Sequence, residues 1–260
     1  MEEVILTFDQ GNTRAKLSVF RIMADGGCRV EGEFRYESAP TVEDVAELVE
    51  TYGISGAIYC SVGHIDVRFV ETLRGLISGE LIILTHRTPL PVTISYATPS
   101  SLGFDRIAAA VGAVELLGRR NIMIVDAGTA VTEDLVTVSP ENEVCFLGGR
   151  ISPGLRMRFR SLHELTSRLP LIDSHGETPV VGCSTELSIR SGVVRGLVSE
   201  IDGTFAEYRN LCQSSELTMI LTGGDAPLLS DLISEKAEVC QNLNDIGLCA
   251  IYRHNSGKFA

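Results

Sequence analysis

The feature that most limits how this 260-residue chain can fold is a pattern that occurs twice. A β-rich run, Val4-Ile5-Leu6-Thr7-Phe8, ends in Asp9-Gln10-Gly11-Asn12-Thr13 and resumes as the alternating Lys16-Leu17-Ser18-Val19-Phe20. At Asp126, 117 positions after Asp9, the run Asn121-Ile122-Met123-Ile124-Val125 ends in Asp126-Ala127-Gly128-Thr129 and continues as β-rich sequence through Val138. Turn-forming residues between apolar runs predict a strand, a tight turn and an antiparallel strand each time. Recurrence at a domain-sized interval predicts two structurally similar halves.

The remaining pattern fits an α/β chain. Residues 29–36 suit a third strand, 41–52 carry apolar residues at helical spacing, and 57–62 and 81–85 read as buried strands around another helix. A loop with Pro89, Pro91 and Pro99 leads to Asp105, a residue type able to cap a helix, ahead of Ile107, Val111, Val114 and Leu117 at helical spacing and an expected end at Gly118. The second half becomes helical around 153–168 and 185–209, adds a strand over 217–222, and closes with helices. The expected division is 1–118 and 119–260, with no low-complexity linker. That agrees with domains of roughly 100 to 150 residues.

Charge narrows the partners. With 22 Lys and Arg against 34 Asp and Glu, the formal charge of −12 opposes phosphate backbones and anionic lipid, so neither nucleic acid nor a membrane is expected as a partner. An apolar fraction of 44% with 22% charged residues is enough for a core and argues against disorder. No apolar run reaches the roughly 20 residues of a membrane span. The acidic start, Met1-Glu2-Glu3, lacks the basic region of a secretory signal, so the cytoplasm is the expected location. Seven cysteines without a C-x-x-C pair suggest neither a disulfide framework nor a zinc cluster and read as reduced small hydrophobes, and the five histidines show no ligand spacing.

An Asp at a strand end followed by Gly and a hydroxyl residue suits nucleotide phosphate. Gly lets backbone approach, N–H groups and the hydroxyl donate, and the carboxylate can hold hydrated Mg²⁺. One such turn alone reads better as a structural β-turn. The second copy, together with Thr222-Gly223-Gly224-Asp225 between a buried strand and a helix, favours a nucleotide site in which the third element packs against adenosine.

On these residues the chain resembles the acetate kinase, sugar kinase, Hsp70 and actin superfamily. The resemblance implies an α/β fold of two similar ribonuclease H-like domains, each of the actin-like ATPase type, with a nucleotide cleft between them. More narrowly, the chain resembles type III pantothenate kinases, through Asp9 to Lys16, Leu102-Gly103-Phe104-Asp105-Arg106, Asp126 to Asp134, Gly148 to Gly154, Leu165 to Pro170, Thr185 to Gly192 and Thr222 to Asp225. These segments fall in family order across almost the whole chain.

The resemblance assigns Asp9, Gly11, Asn12, Thr13 and Lys16 to a first phosphate loop, with Asp9 near Mg²⁺ and Lys16 facing the phosphates. It assigns Gly128, Thr129 and Thr132 to a second phosphate loop, Gly223 and Gly224 to the adenosine element, and Asp126 to a monovalent cation, K⁺ or NH₄⁺. Asp105 becomes the general base that takes the proton of the attacking hydroxyl. Tyr96, Gly103, Asp105, Arg106 and Thr185 become pantothenate contacts, with the Arg106 fork suited to a carboxylate and Thr185 contributed across a homodimer interface. Plainer readings stand beside these: a solvated Lys16, Asp105 as a helix cap, Arg106 in a surface ion pair, Asp126 as a turn former, and Thr185 as an N-cap. Arg156, Arg158 and Arg160 read best as a solvated face. Glu133 departs from the apolar or uncharged residue expected there, and would face solvent or alter a contact beside the second loop.

The implied function is phosphorylation of pantothenate by ATP with Mg²⁺, giving 4′-phosphopantothenate at the start of coenzyme A synthesis. One alternative is a non-catalytic accessory or regulatory protein of the same fold; another is a kinase for a different alcohol. Retention of Asp9, Lys16 and Asp105 favours catalysis, because a binding module has no use for a base beside its pocket.

Overall fold

The computed structural model describes residues 2–11, 15–61, 63, 66–212 and 216–257. Asn12 and Thr13, expected in the first phosphate loop, lie outside the described residues.

The chain forms β1 (Glu3–Gln10), β2 (Ala15–Ile22), β3 (Cys28–Tyr36), α1 (Val42–Tyr52), β4 (Gly56–Ser61), α2 (Val67–Leu76), β5 (Leu81–Ile83), β6 (Thr93–Ile94) and α3 (Phe104–Leu117). It continues through β7 (Asn121–Ala127), β8 (Ala130–Val138), β9 (Val144–Pro153), α4 (Leu155–Glu164), α5 (Thr185–Leu211), β10 (Leu217–Thr222), α6 (Ala226–Ser230), β11 (Ala237–Val239) and α7 (Leu243–Asn255). Two compact units result, one of residues 1–118 with 242–260, the other of residues 119–241.

The first unit is a sheet in the order β3-β2-β1-β4-β5, antiparallel across β1 to β3 and parallel across β1, β4 and β5. Strand alternation sends Val4, Leu6, Phe8, Leu17, Ala57 and Tyr59 into one core with Val45 and Leu48 of α1 and Val70 and Leu73 of α2. Thr41 and Asp44 form a reciprocal capping box at the start of α1, and Asp66 caps α2, satisfying N–H groups left open at a helix start. The opposite face of the sheet meets α7, where the Tyr252 hydroxyl donates to Glu3 Oε1 at 2.9 Å.

The second unit repeats the plan as β9-β8-β7-β10-β11, with β7 to β9 antiparallel and β10 parallel to both β7 and β11. Each unit even carries a register shift on its second strand, at Val19/Phe20 and at Leu135/Val136. The inner face of this sheet, with Met123, Val125, Val131, Leu135 and Met219, packs on Phe159 of α4 and on Val194, Leu197 and Ile201 of α5.

The chain passes from the first unit to the second after Gly118. The closing helix α7, assigned by linear order to residues 119–260, instead packs on α3 in the first unit. Two glycines make that packing possible: an ideal Cβ on Gly247 would lie 1.8 Å from the Ala108 carbonyl oxygen, and one on Gly112 would lie 2.2 Å from that of Leu243. Helix backbones can approach so closely only where side chains are absent.

Candidate active site

In the first unit, the end of the sheet collects charge. Asp9 closes β1 and stands opposite Lys16 in the β1–β2 register and beside Cys60 in the β1–β4 register. Lys16 Nζ lies 2.6 Å from Asp245 Oδ2 and 3.6 Å from Glu33 Oε1. Asp245, from the first turn of α7, is 1% exposed, and Thr7 Oγ1 donates to its Oδ1 at 3.3 Å. Burial pushes the Asp245 carboxyl up, while the Lys16 ammonium pulls it back. Cys60 is fully buried and its thiol is pushed well up, first by burial and then by the fields of Asp9, Asp105 and Asp245. Carboxylates from β1, α3 and α7 therefore all act on the Cys60 thiol.

Asp105 sits in the first turn of α3, but the helix cap is Gly103, so the plainer capping reading of Asp105 falls away. Its Oδ1 accepts from the Arg106 N–H at 2.9 Å. A Cβ on Gly103 would fall 2.3 Å from that Oδ1, so the glycine makes room for the carboxylate at the helix entrance. Arg106 is 6% exposed, which removes the surface ion pair reading. Its guanidinium lies over the Tyr96 ring, 5.7 Å from the centroid, a cation–π contact that unites two of the expected substrate residues.

In the second unit, Asp126 pairs with Thr132 across β7 and β8 and with Thr222 in the parallel register to β10. The Gly128 N–H donates to Ala130 O at 3.0 Å, closing the turn. Gly223 has φ +89°, and a Cβ there would lie 2.5 Å from Ala127 O and 2.7 Å from Asp126 Oδ1. The Asp225 N–H donates to Ala127 O at 3.0 Å, and the Gly154 N–H donates to Thr129 O at 3.1 Å. The Asp126–Thr129 turn, the Thr222–Asp225 element and the entrance of α4 thus form one backbone-lined corner. Beside Asp225 is a cavity of ≈ 580 Å³, also lined by Arg156, Phe159, Arg160 and Ile172. Burial pushes the Asp225 carboxyl up.

Thr185 is exposed and occupies the first helical position of α5; the cap is Ser184, whose Oγ accepts from the Leu187 N–H at 3.2 Å. The plain N-cap reading of Thr185 therefore falls away. Thr185 lines a groove of ≈ 960 Å³ with Arg158, Leu162, Leu169 and Ile189. Arg158 is not part of a solvated face: it donates to Pro153 O at 2.6 Å and Ser152 Oγ at 3.0 Å, and pairs with Glu200 at 2.7 Å. Glu133 is also turned inward, 1% exposed, with Thr204 Oγ1 donating to its Oε2 at 2.8 Å.

Sequence reasoning missed Asp245. Asp245 lies 238 positions from Thr7 and carries no motif; its one signal is a carboxylate inside the apolar run Leu243 to Ile251. Among the described residues, no cluster of three or more His, Cys, Asp or Glu side chains is arranged to hold a metal ion by itself, and no helix is long and apolar enough to cross a membrane.

The repeated five-strand order and its strand-end carboxylates define two ribonuclease H-like units, the architecture of the actin-like kinase superfamily. A glucokinase from an Antarctic psychrotroph shares the fold at TM-score 0.57 and 10% identity, covering 97% of this chain and 99% of its own. Component A of (R)-2-hydroxyglutaryl-CoA dehydratase from Acidaminococcus fermentans does so at 0.51 and 12%, covering 99% of each chain. The family model for type III pantothenate kinase matches residues 5–207. A type III pantothenate kinase of Flavobacterium johnsoniae is 38% identical over 87% of this chain and 88% of its own length. One of Phocaeicola vulgatus is 37% identical over 93% and 96%. The chain belongs to the type III pantothenate kinase family.

Proposed function

We propose that this protein transfers the γ-phosphate of ATP to the terminal hydroxyl of pantothenate, giving 4′-phosphopantothenate. The observation that carries this reading is the grouping at the entrance of α3: a partly buried Asp105 carboxylate next to an Arg106 guanidinium stacked on Tyr96. Arg106 binds the pantothenate carboxylate, Tyr96 and Gly103 shape the pocket, and Asp105 orients the alcohol and accepts its proton as the bond to phosphorus forms.

Lys16 supplies positive charge to the phosphates, where electrostatics and positioning provide most of the catalysis. Asp245 holds the ammonium at 2.6 Å and thereby sets where that charge sits. The family resemblance assigns Gly11, Asn12 and Thr13 to one phosphate loop, Gly128, Thr129 and Thr132 to the other, and Gly223 and Gly224 to the adenosine element. Magnesium neutralises phosphate charge when bound. Asp9 would hold it, and one strand-end carboxylate fits an ion that otherwise keeps water and phosphate ligands. Asp126 would hold K⁺ or NH₄⁺. Such an ion takes oxygen donors, and the same turn offers the Gly128 and Thr129 carbonyl oxygens, which crowd Gly154 so closely that a Cβ there would collide with both.

A two-fold dimer completes the pantothenate site through Thr185 of a second copy. Exposed Ile151, Met157, Leu165, Leu171, Val180 and Val181, clustered in one stretch of the second unit's sequence, support an apolar contact there. The cytoplasm supplies ATP and suits cysteines that are all unbridged among the described residues.

The test is incubation of purified protein with ATP, Mg²⁺, K⁺ and pantothenate, with mass-spectrometric detection of ADP and 4′-phosphopantothenate. Asp105→Asn keeps the carboxylate's shape without its basicity, and is expected to retain nucleotide binding while losing at least about a hundredfold in kcat. Full activity in that variant removes Asp105 as the base; folded wild-type protein that makes no product favours the accessory-protein reading.

A further inference from the structure

Cys28 opens β3 and Cys249 lies within α7, 221 positions further on. Their sulfurs are 3.0 Å apart, with the Cys249 thiol donating to Cys28. Access to the two is unequal, because Cys28 is exposed and Cys249 is buried. The turn before β3 fixes Cys28 in this place. The Met23 N–H donates to Gly27 O at 2.8 Å, the Gly26 N–H donates to Met23 O at 2.9 Å, and Gly26 adopts φ +83°, which glycine tolerates.

Arg253, one turn beyond Cys249 on α7, ties this turn to the helix. Its guanidinium donates to the Gly26 carbonyl, and Nη1 lies 3.7 Å from the Cys28 sulfur. Its Nη2 is held by Glu115 of α3 at 2.7 Å. The hydrogen bond from Cys249 and the field of Arg253 lower the Cys28 pKa, against burial and Glu115. The Cys249 thiol is pushed well up, first by the bond to Cys28 and then by burial. Thiolates are the attacking species in disulfide exchange. An accessible thiolate beside a buried thiol supplies both an attacking and a resolving sulfur.

We propose that Cys28 and Cys249 form a reversible thiol–disulfide exchange site whose oxidant is a small disulfide of the glutathione class. The Cys28 thiolate attacks one sulfur of the oxidant, making a mixed disulfide and releasing one thiolate. Cys249 then attacks the Cys28 sulfur, forming the internal bond and expelling the second thiolate, while the Cys249 proton passes to a released thiolate. Two protein thiols are oxidised and one small disulfide is reduced to two thiols. A disulfide bond is about 2.05 Å long, so closing the pair asks for about 1 Å of movement. The bond fastens β3 to α7, whose first turn carries Asp245. It therefore secures the helix that anchors Lys16 without moving it far.

The test uses the full chain and reads thiols, so it stands apart from the kinase assay. Reduced protein, freed of reductant, is incubated with oxidised glutathione, denatured, alkylated and mapped by peptide mass spectrometry. The expected result is a Cys28–Cys249 linked peptide, loss of two of the seven alkylatable thiols, and recovery of both with dithiothreitol. Cys249→Ala should stop at a stable glutathione adduct on Cys28. Cys28→Ser should leave Cys249 unmodified over the same interval. The proposal is overturned if wild-type protein keeps all its thiols, halts at the Cys28 adduct, or links other cysteines in preference, and equally if Cys249 reacts in Cys28→Ser. Wild-type mapping decides the matter even where a variant fails to fold.

Discussion

Asp245 and Glu133 are each 1% exposed, yet they stand in different electrostatic settings. Asp245 faces an ammonium at 2.6 Å, and removing one partner of such a buried pair costs about 3–5 kcal/mol. Among the described residues, Glu133 has no comparable cation. Thr204 donates to its Oε2, the Tyr208 hydroxyl donates to its backbone oxygen at 2.9 Å, and Oε1 is buried without a hydrogen-bond partner. Burial pushes its carboxyl up and Glu200 adds to this, while Thr204, Arg150 and Arg158 oppose it. A folded-state pKa above the unfolded value of about 4.3 means that, as pH rises from there, the folded protein keeps more protons bound than the unfolded chain does, so stability falls across that window. Glu133→Gln cannot ionise and escapes that loss. Urea unfolding from pH 4 to pH 8 should show the wild type losing stability relative to Glu133→Gln as pH rises; parallel curves would mean that burial does not raise the Glu133 pKa.

At the scale of elements, α7 is the piece that orders the candidate site. It packs on α3 through Gly112 and Gly247, and so places Asp245 beside Lys16 near the helix entrance that carries Asp105. Gly247→Ala must push the two backbones apart, since its Cβ would meet the Ala108 carbonyl at 1.8 Å. Overpacking of this kind costs about 1–3 kcal/mol. The expected outcome is that loss in urea unfolding together with a fall in kcat/KM. Gly75→Ala in α2, whose added Cβ meets nothing within 4 Å, should instead be neutral or stabilising by up to about 1 kcal/mol. Equal behaviour of the two variants would rule out the close approach. The contrast also explains what the sequence disclosed. The hairpins at Asp9 and Asp126 were legible because strand, turn and strand are consecutive, and the helix at Asp105 because its apolar spacing is local. The placement of α7 and the Lys16–Asp245 pair depends on contacts between distant segments, which no local pattern records. Glu133 stood out in the sequence only as an oddity; its burial needed the facing residues of α5.

At the scale of the whole molecule, the duplicated strand order was visible in advance because the same turn chemistry recurs in both copies. Surface distribution was less visible, since a formal charge of −12 hides where apolar side chains collect. Val180 and Val181 are 78% and 80% exposed and directly precede Gly182, which lines the groove containing Thr185. If a second copy covers this stretch, two-fold symmetry buries each valine twice. Burial of one valine is worth about 1.5–3 kcal/mol, so the symmetric pair contributes about 3–6 kcal/mol. At 1.4 kcal/mol per tenfold, Val181→Asp should weaken dimerisation by about two to four powers of ten. Light scattering at micromolar concentration should then report a folded monomer. The substrate effect should be selective: KM for pantothenate rises because Thr185 of the second copy is withdrawn, while nucleotide binding by isolated protein is kept. A Val181→Asp protein that stays dimeric, or a monomer whose KM for pantothenate is unchanged, would detach Thr185 from the substrate site and leave the apolar stretch without this role.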